Sequence, residues 1–204
     1  MKNVLYAAIL WLLTLPISAQ SVSLNTEGLD SAYVSSIIAR SQKIVDALQM
    51  SDTKKAENVR NIIANRYFLL NAIHSKYDNS QQEARDAELY KHHFELASAL
   101  AQYLTEEQID AVKDGMTFGR LKRDYNATLD MIPTLTDEEK LQVLIWLKEA
   151  REYAMDAADS KGKHFWFDKY RGRTNNWLSS RGYDLKKERD EWMKRIEQQK
   201  AKQP

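Results

Sequence analysis

Cysteine is absent from all 204 residues. That excludes disulfides, a thiolate metal site, a thiol nucleophile and a lipid-modified N-terminal cysteine. The fold must then hold together by packing alone. Proline is nearly as scarce, with only Pro16, Pro133 and Pro204, so long stretches run without a helix breaker. Six glycines stand singly, and none frames a phosphate loop or a nucleophile elbow. Net charge is also lacking. The 30 basic and 29 acidic residues nearly cancel, and Lys2 is the only charge before Ser21. With no field of one sign, the composition argues against nucleic acid and anionic membranes as partners. No run alternates polar and apolar residues as a half-buried strand would.

What is present begins with an address. Lys2 supplies a short positive start, Val4–Ile17 is apolar apart from Thr14, and Ile17-Ser18-Ala19 ends on a small residue. This three-part layout predicts a secretory signal peptide over 1–19. The apolar stretch falls short of the ~20 residues a membrane-spanning helix needs, so no stable span is expected after cleavage. The expected organisation is a helical domain over 20–197 and a frayed tail over 198–204. The expected location is the periplasm or the extracellular space.

Apolar residues then recur at three-to-four spacing. Val34, Ile37, Ile38, Ile44, Val45 and Leu48 predict a helix near 31–50. Val59, Ile62, Ile63, Tyr67, Leu70 and Ile73 predict a second, closed by Asp78-Asn79-Ser80. Leu89, Tyr90, Phe94, Ala97 and Leu100 predict a third. Thr105 stands three residues before Gln108, and Thr136 three before Glu139, the spacing of capping boxes. The helix after Thr136 carries Leu141, Val143, Leu144, Ile145, Trp146 and Leu147. It is apolar almost all round, which calls for burial on more than one side. An aromatic helix follows to about Arg181, Gly182 stops it, and Asp184 caps a last one. The expected fold is all-α, a single-domain bundle of about seven or eight helices.

Candidate chemistry is sparse. Glu88, His92 and Glu95 share one helical face, but the spacing differs from the Glu-x-x-His pattern of di-iron bundles and has no second copy. A solvated face is the better reading, and no metal or cofactor is expected. The acidic pairs Glu106/Glu107 and Asp137/Glu138/Glu139 are accounted for by helix starts. No catalytic set emerges. The aromatic segment His164–Trp177 is different. Trp166, Tyr170 and Trp177 fall on one helical stripe, and Phe165, Trp166 and Phe167 cannot all face one core. Flat rings with polar tips match the C–H faces of sugars. Arg171, Arg173, Asn175 and Asn176 supply donors for hydroxyls, so these residues with Tyr183 form the candidate ligand surface. Core packing competes for the same rings, since aromatics dominate helical cores.

Several longer stretches are familiar as sequences. Tyr103–Thr117, Tyr125–Pro133, Trp146–Asp156 and Gly182–Leu185 resemble an uncharacterised secreted family of Bacteroidota, a domain of unknown function regarded as sugar-binding. The resemblance covers most of the chain after residue 20. It implies export and an oligosaccharide ligand, alongside polysaccharide-degrading enzymes, pectin-active ones among them. It supplies no catalytic residues. Leu104-Thr105-Glu106-Glu107-Gln108 also resembles the Leu-Thr-x-x-Gln motif of the Spy/CpxP-like periplasmic proteins, which implies a chaperone or envelope-stress role. Leu135-Thr136-Asp137-Glu138-Glu139 departs from that motif at Glu139. The expected function is non-catalytic carbohydrate binding. A periplasmic chaperone and an uncharacterised polysaccharide-active enzyme are the alternatives.

Overall fold

The computed structural model describes residues 21–201; the predicted signal peptide lies outside them. The described chain is an all-α multi-helix bundle. In order, the helices are α1 (Ser31–Asp46), α2 (Thr53–Lys76), α3 (Gln82–His92), α4 (Glu95–Leu100), α5 (Glu106–Met116), α6 (Arg120–Met131), α7 (Asp137–Met155), α8 (Ser160–Ser180) and α9 (Leu185–Ala201). A single 3₁₀ turn, Asn79–Gln81, precedes α3.

Local chemistry sets most of these boundaries. Asp30 and Asp52 accept backbone N–H groups at the starts of α1 and α2. Both expected capping boxes form, Thr105 with Gln108 and Thr136 with Glu139. Each satisfies two donors that a helix start leaves unpaired. Asp159 accepts from Gly162 at 2.7 Å to open α8, and Asp184 accepts from Lys186 and Lys187 to open α9. Gly182, at φ 97°, takes the left-handed conformation that ends α8.

The third expected helix is two. It breaks at His93–Phe94, between α3 and α4. Nothing in the local sequence compels that break, and tertiary bonds meet at it. Arg66 of α2 donates to the His92 carbonyl at 2.9 Å, and His93 Nδ1 donates to Asp156 at the end of α7. The His92 carbonyl, taken up by Arg66, is not available to the helical ladder.

Two cores carry most of the packing. The first gathers α1, α2, α4 and α5, with Val59, Ile63, Leu100 and Val112 fully buried. Here Gly115 lets α5 press on α1, because a Cβ at this position would lie 3.0 Å from Ile44 Cγ2. The second gathers α6, α7 and α8 around Phe167, also fully buried, with Leu121, Val143, Leu147 and Tyr170. A smaller cluster of Ile132, Leu135 and Leu178 seats the start of α9. Arg195 of α9 donates to the carbonyls of Asp130 and Met131 at the end of α6.

An unexpected element precedes α1. The extended backbone at 22–25 lies along α2, held by asparagine side chains. Asn58 accepts from Val22 N–H, Asn61 donates to the Val22 carbonyl, and Asn65 bonds both Asn25 N–H and the Ser23 carbonyl. These three residues share one face of α2 and substitute for the partner that a strand would need.

α7 is central, as its composition predicts, and packs on α5, α6 and α8. It is not covered all round. Leu141 and Ile145, one turn apart, are 56% and 49% exposed. Three neighbouring helices close three sides and leave this face open.

Candidate functional site

The helical stripe of α8 is divided by its neighbours. Phe167 enters the core, Trp166 is half-buried and Phe165 is 58% exposed. Trp166 stacks on Tyr153 of α7, ring centroids 4.6 Å apart and planes inclined by 19°. Tyr170 is buried behind them, 6.3 Å from Tyr153. Burial, and then the Glu149 carboxylate beside it, push the Tyr170 hydroxyl well above its ordinary value. Farther along, Trp177 meets Trp146 edge-on at 5.2 Å. Arg173 lies over the Trp146 ring at 4.6 Å and pairs with Glu149 at 3.3 Å. The α7–α8 seam is thus a line of rings with arginine between them.

Trp166 and Tyr153 form one wall of a cleft of about 480 Å³. Tyr90 and Phe94, from the α3–α4 break, stand on the other side, 70% and 63% exposed. They meet each other edge-on at 6.0 Å. The floor is polar. Asp156 accepts from His93 Nδ1 at 2.6 Å and from Arg66, while His74 Nε2 donates to its backbone carbonyl at 2.7 Å. His93 Nε2 lies 3.5 Å from Glu152, which also receives Lys113 through both oxygens at 2.9 Å. Hydrogen bonds to Asp156 and then Glu152 raise the His93 ring to about 9. Desolvation tends to raise Glu152, but His93 and Lys113 outweigh it and hold the carboxyl at about 2. At neutral pH this floor is a fixed array of charges. Arg85 Nε, at the edge of the cleft, is buried without a hydrogen-bond partner among the described residues.

Of the residues expected to bind ligand, Trp166 is the one that lines this cleft. Arg171 is exposed and pairs with Asp168 at 3.2 Å. Asn175 is half-buried and Asn176 exposed, both beyond the cleft on α8. Tyr183 sits after α8, where its hydroxyl donates to Glu139 at 2.7 Å. That bond, with the Thr136 N–H and Arg181, holds the Glu139 carboxyl at about 2. Glu88 accepts from Tyr77 and Lys76, and His92 pairs with Glu95. No group of three or more His, Asp or Glu among the described residues is placed to hold a metal.

The cleft residues that sequence reasoning passed over are Tyr90, Phe94, Tyr153 and His93. The first three occupy regular stripe positions, the same signal a core ring gives. Tyr90 lies in the last turn of α3 and Phe94 in the break after it, where bonds from Arg66 and Asp156 meet, two residues that are 90 positions apart.

A family profile described as a protein of unknown function, DUF3826, matches residues 34–85 and 77–198. The chain belongs to this family. The matched span runs from α1 into α9 and takes in both walls of the cleft. No curated protein matches the chain. Among the described residues, no helix is long and apolar enough to cross a membrane.

Proposed function

We propose that this member of the DUF3826 family is an exported, non-catalytic protein that binds oligosaccharide in the cleft between Tyr90–Phe94 and Tyr153–Trp166. One observation carries the reading. Four incompletely buried rings line a cleft whose remaining surface is charged and hydrogen-bonding. Rings left in water at a concave site supply flat apolar area at little entropic cost. Sugar C–H faces stack on them, and hydroxyls then reach Glu149, Glu152 and Arg85. Each acidic side chain of the cleft, Asp86, Glu149, Glu152 and Asp156, is already paired with a cation, which favours an uncharged sugar over a uronate. Proton-transfer catalysis fits the site poorly. Glu152 and His93 hold each other ionised, and a general acid or base works best with a pKa near the working pH.

Glycan-array screening of the full chain, followed by calorimetry on the hits, tests the proposal. Trp166→Ala and Tyr153→Ala should each weaken binding at least about tenfold, the loss expected of one stacking ring. Trp177→Ala, outside the cleft, should leave affinity unchanged. An array without hits, or equal affinity in all three variants, overturns the proposal. The exposed pair Leu141 and Ile145 favours one other reading, a Spy/CpxP-like chaperone that holds apolar clients. Suppression of client aggregation that is lost in Ile145→Ser, with no glycan bound, would replace the first reading with this one.

A further inference from the structure

A second cavity, of about 360 Å³, lies between α1, α2 and the start of α8. We propose that it binds a small organic monocarboxylate, clasped between Lys163 and Arg40.

Lys163 is 5% exposed, and its Nζ is buried without a hydrogen bond among the described residues. Its neighbour across the cavity is the Tyr67 ring, 5.8 Å away. The Arg40 guanidinium lies over the same ring at 5.5 Å and has no ion pair among the described residues. Two cations thus share one cavity, and neither is hydrogen-bonded to or ion-paired with an acid among the described residues. The nearby acids, Asp156 and Asp159, act on Lys163 through their charge without bonding it. Asp159 accepts the Gly162 N–H to open α8, and Asp156 is bonded to Arg66 and His93. Leaving an ammonium buried and unpaired is costly, and an anion between the two cations relieves that cost. Burial pushes Lys163 down to about 8, with Arg40 and Arg66 adding to the fall and Asp156 and Asp159 opposing it.

The rest of the cavity selects the ligand. Tyr33, Tyr67 and Phe118 line it with ring surface, which suits a flat or cyclic body. Phe118 stands at the rim at φ 61°, a left-handed conformation that side chains other than glycine rarely adopt. It is 48% exposed and stacks on His164 at 5.6 Å. The conformation ends α5 in a Schellman motif, with Gly119 N–H donating to the Asp114 carbonyl at 2.8 Å, and it sets the Phe118 ring beside the cavity. The Asp159 carboxylate also lines the cavity and repels a dianion, so a single negative charge fits better than phosphate.

Calorimetric titration of the full chain with benzoate tests the assignment, with inorganic phosphate and benzyl alcohol as the contrasting probes. Benzoate should bind saturably, and phosphate and benzyl alcohol at least about tenfold more weakly. Lys163→Met and Arg40→Gln should each weaken benzoate about tenfold, the loss typical of one charge-assisted contact. Trp166→Ala should leave benzoate binding unchanged, which separates this site from the aromatic cleft. Arg40 is exposed, so its variant decides the matter if Lys163→Met fails to fold. No saturable benzoate binding, full affinity in the Arg40 variant, or phosphate bound more tightly than benzoate would each overturn the assignment.

Discussion

The two halves of the bundle use hydrophobic side chains differently. In the core of α1, α2, α4 and α5, Val59, Ile63, Leu100, Val112 and Met116 are at most 1% exposed. In the half built on α6, α7 and α8, the buried centre is Phe167, and around it Trp146, Trp166, Trp177 and Tyr125 remain only partly covered. Aliphatic side chains have no polar tip and gain most from complete removal from water. Trp and Tyr bury a face and keep an N–H or O–H wet, so they can serve at a boundary. The aliphatic core of the first half is sealed, and the second ends in a ridge with unspent ring surface. The aromatic cleft lies where the two meet, with Tyr90 and Phe94 from one side and Tyr153 and Trp166 from the other.

The sharpest way to break this contrast is to remove a ring that is truly interior. Phe167→Ala should cost about 3–5 kcal/mol in urea unfolding, the range for emptying a buried aromatic site. Trp166→Ala, at a half-buried ring, should cost well under half of that while weakening ligand binding at least about tenfold. Equal losses would mean that Trp166 is a core residue and the ridge a packing feature. Next in size is the polar joint between the halves. The folded-state value of His93 is raised from 6.5 to about 9 by Asp156 and Glu152. The sign follows from linkage: the stabilisation is complete below about pH 6.5 and is lost as pH rises towards 9. After allowance for screening by solvent at this partly exposed joint, a loss on the order of 1–2 kcal/mol is expected over that window. Urea titrations across pH should show it, and His93→Gln should flatten it. The smallest effect concerns the start of α7. Thr136→Ala should cost about 1 kcal/mol through the lost cap. It should leave cleft affinity intact, because the other end of α7 carries the cleft residues.

The helices and their limits were largely legible in the chain. Thr105, Thr136 and Asp184 act within a few residues of themselves, so their effect can be read locally. The candidate site was legible in one residue, Trp166. The three-to-four spacing of Tyr90, Phe94 and Tyr153 places each on a stripe, but a stripe faces whatever helix happens to lie opposite. Arg171, Asn175 and Asn176 share α8 with Trp166 yet point to other surroundings, because 100° of helical rotation separates each successive residue. The same limit explains Leu141 and Ile145: the helix is buried on more than one side, as its composition asked, but which face stays open depends on where its three neighbours lie.

What the sequence settled by itself is therefore short-range: an all-α chain, the caps that start its helices, and the apolar faces that must pair. Which faces pair, and which rings are left in water, was decided by contacts as remote as Arg66 with Asp156. Helical periodicity acts over a few residues, whereas exposure depends on every element packed around a position. Only the assembled tertiary structure contains that information.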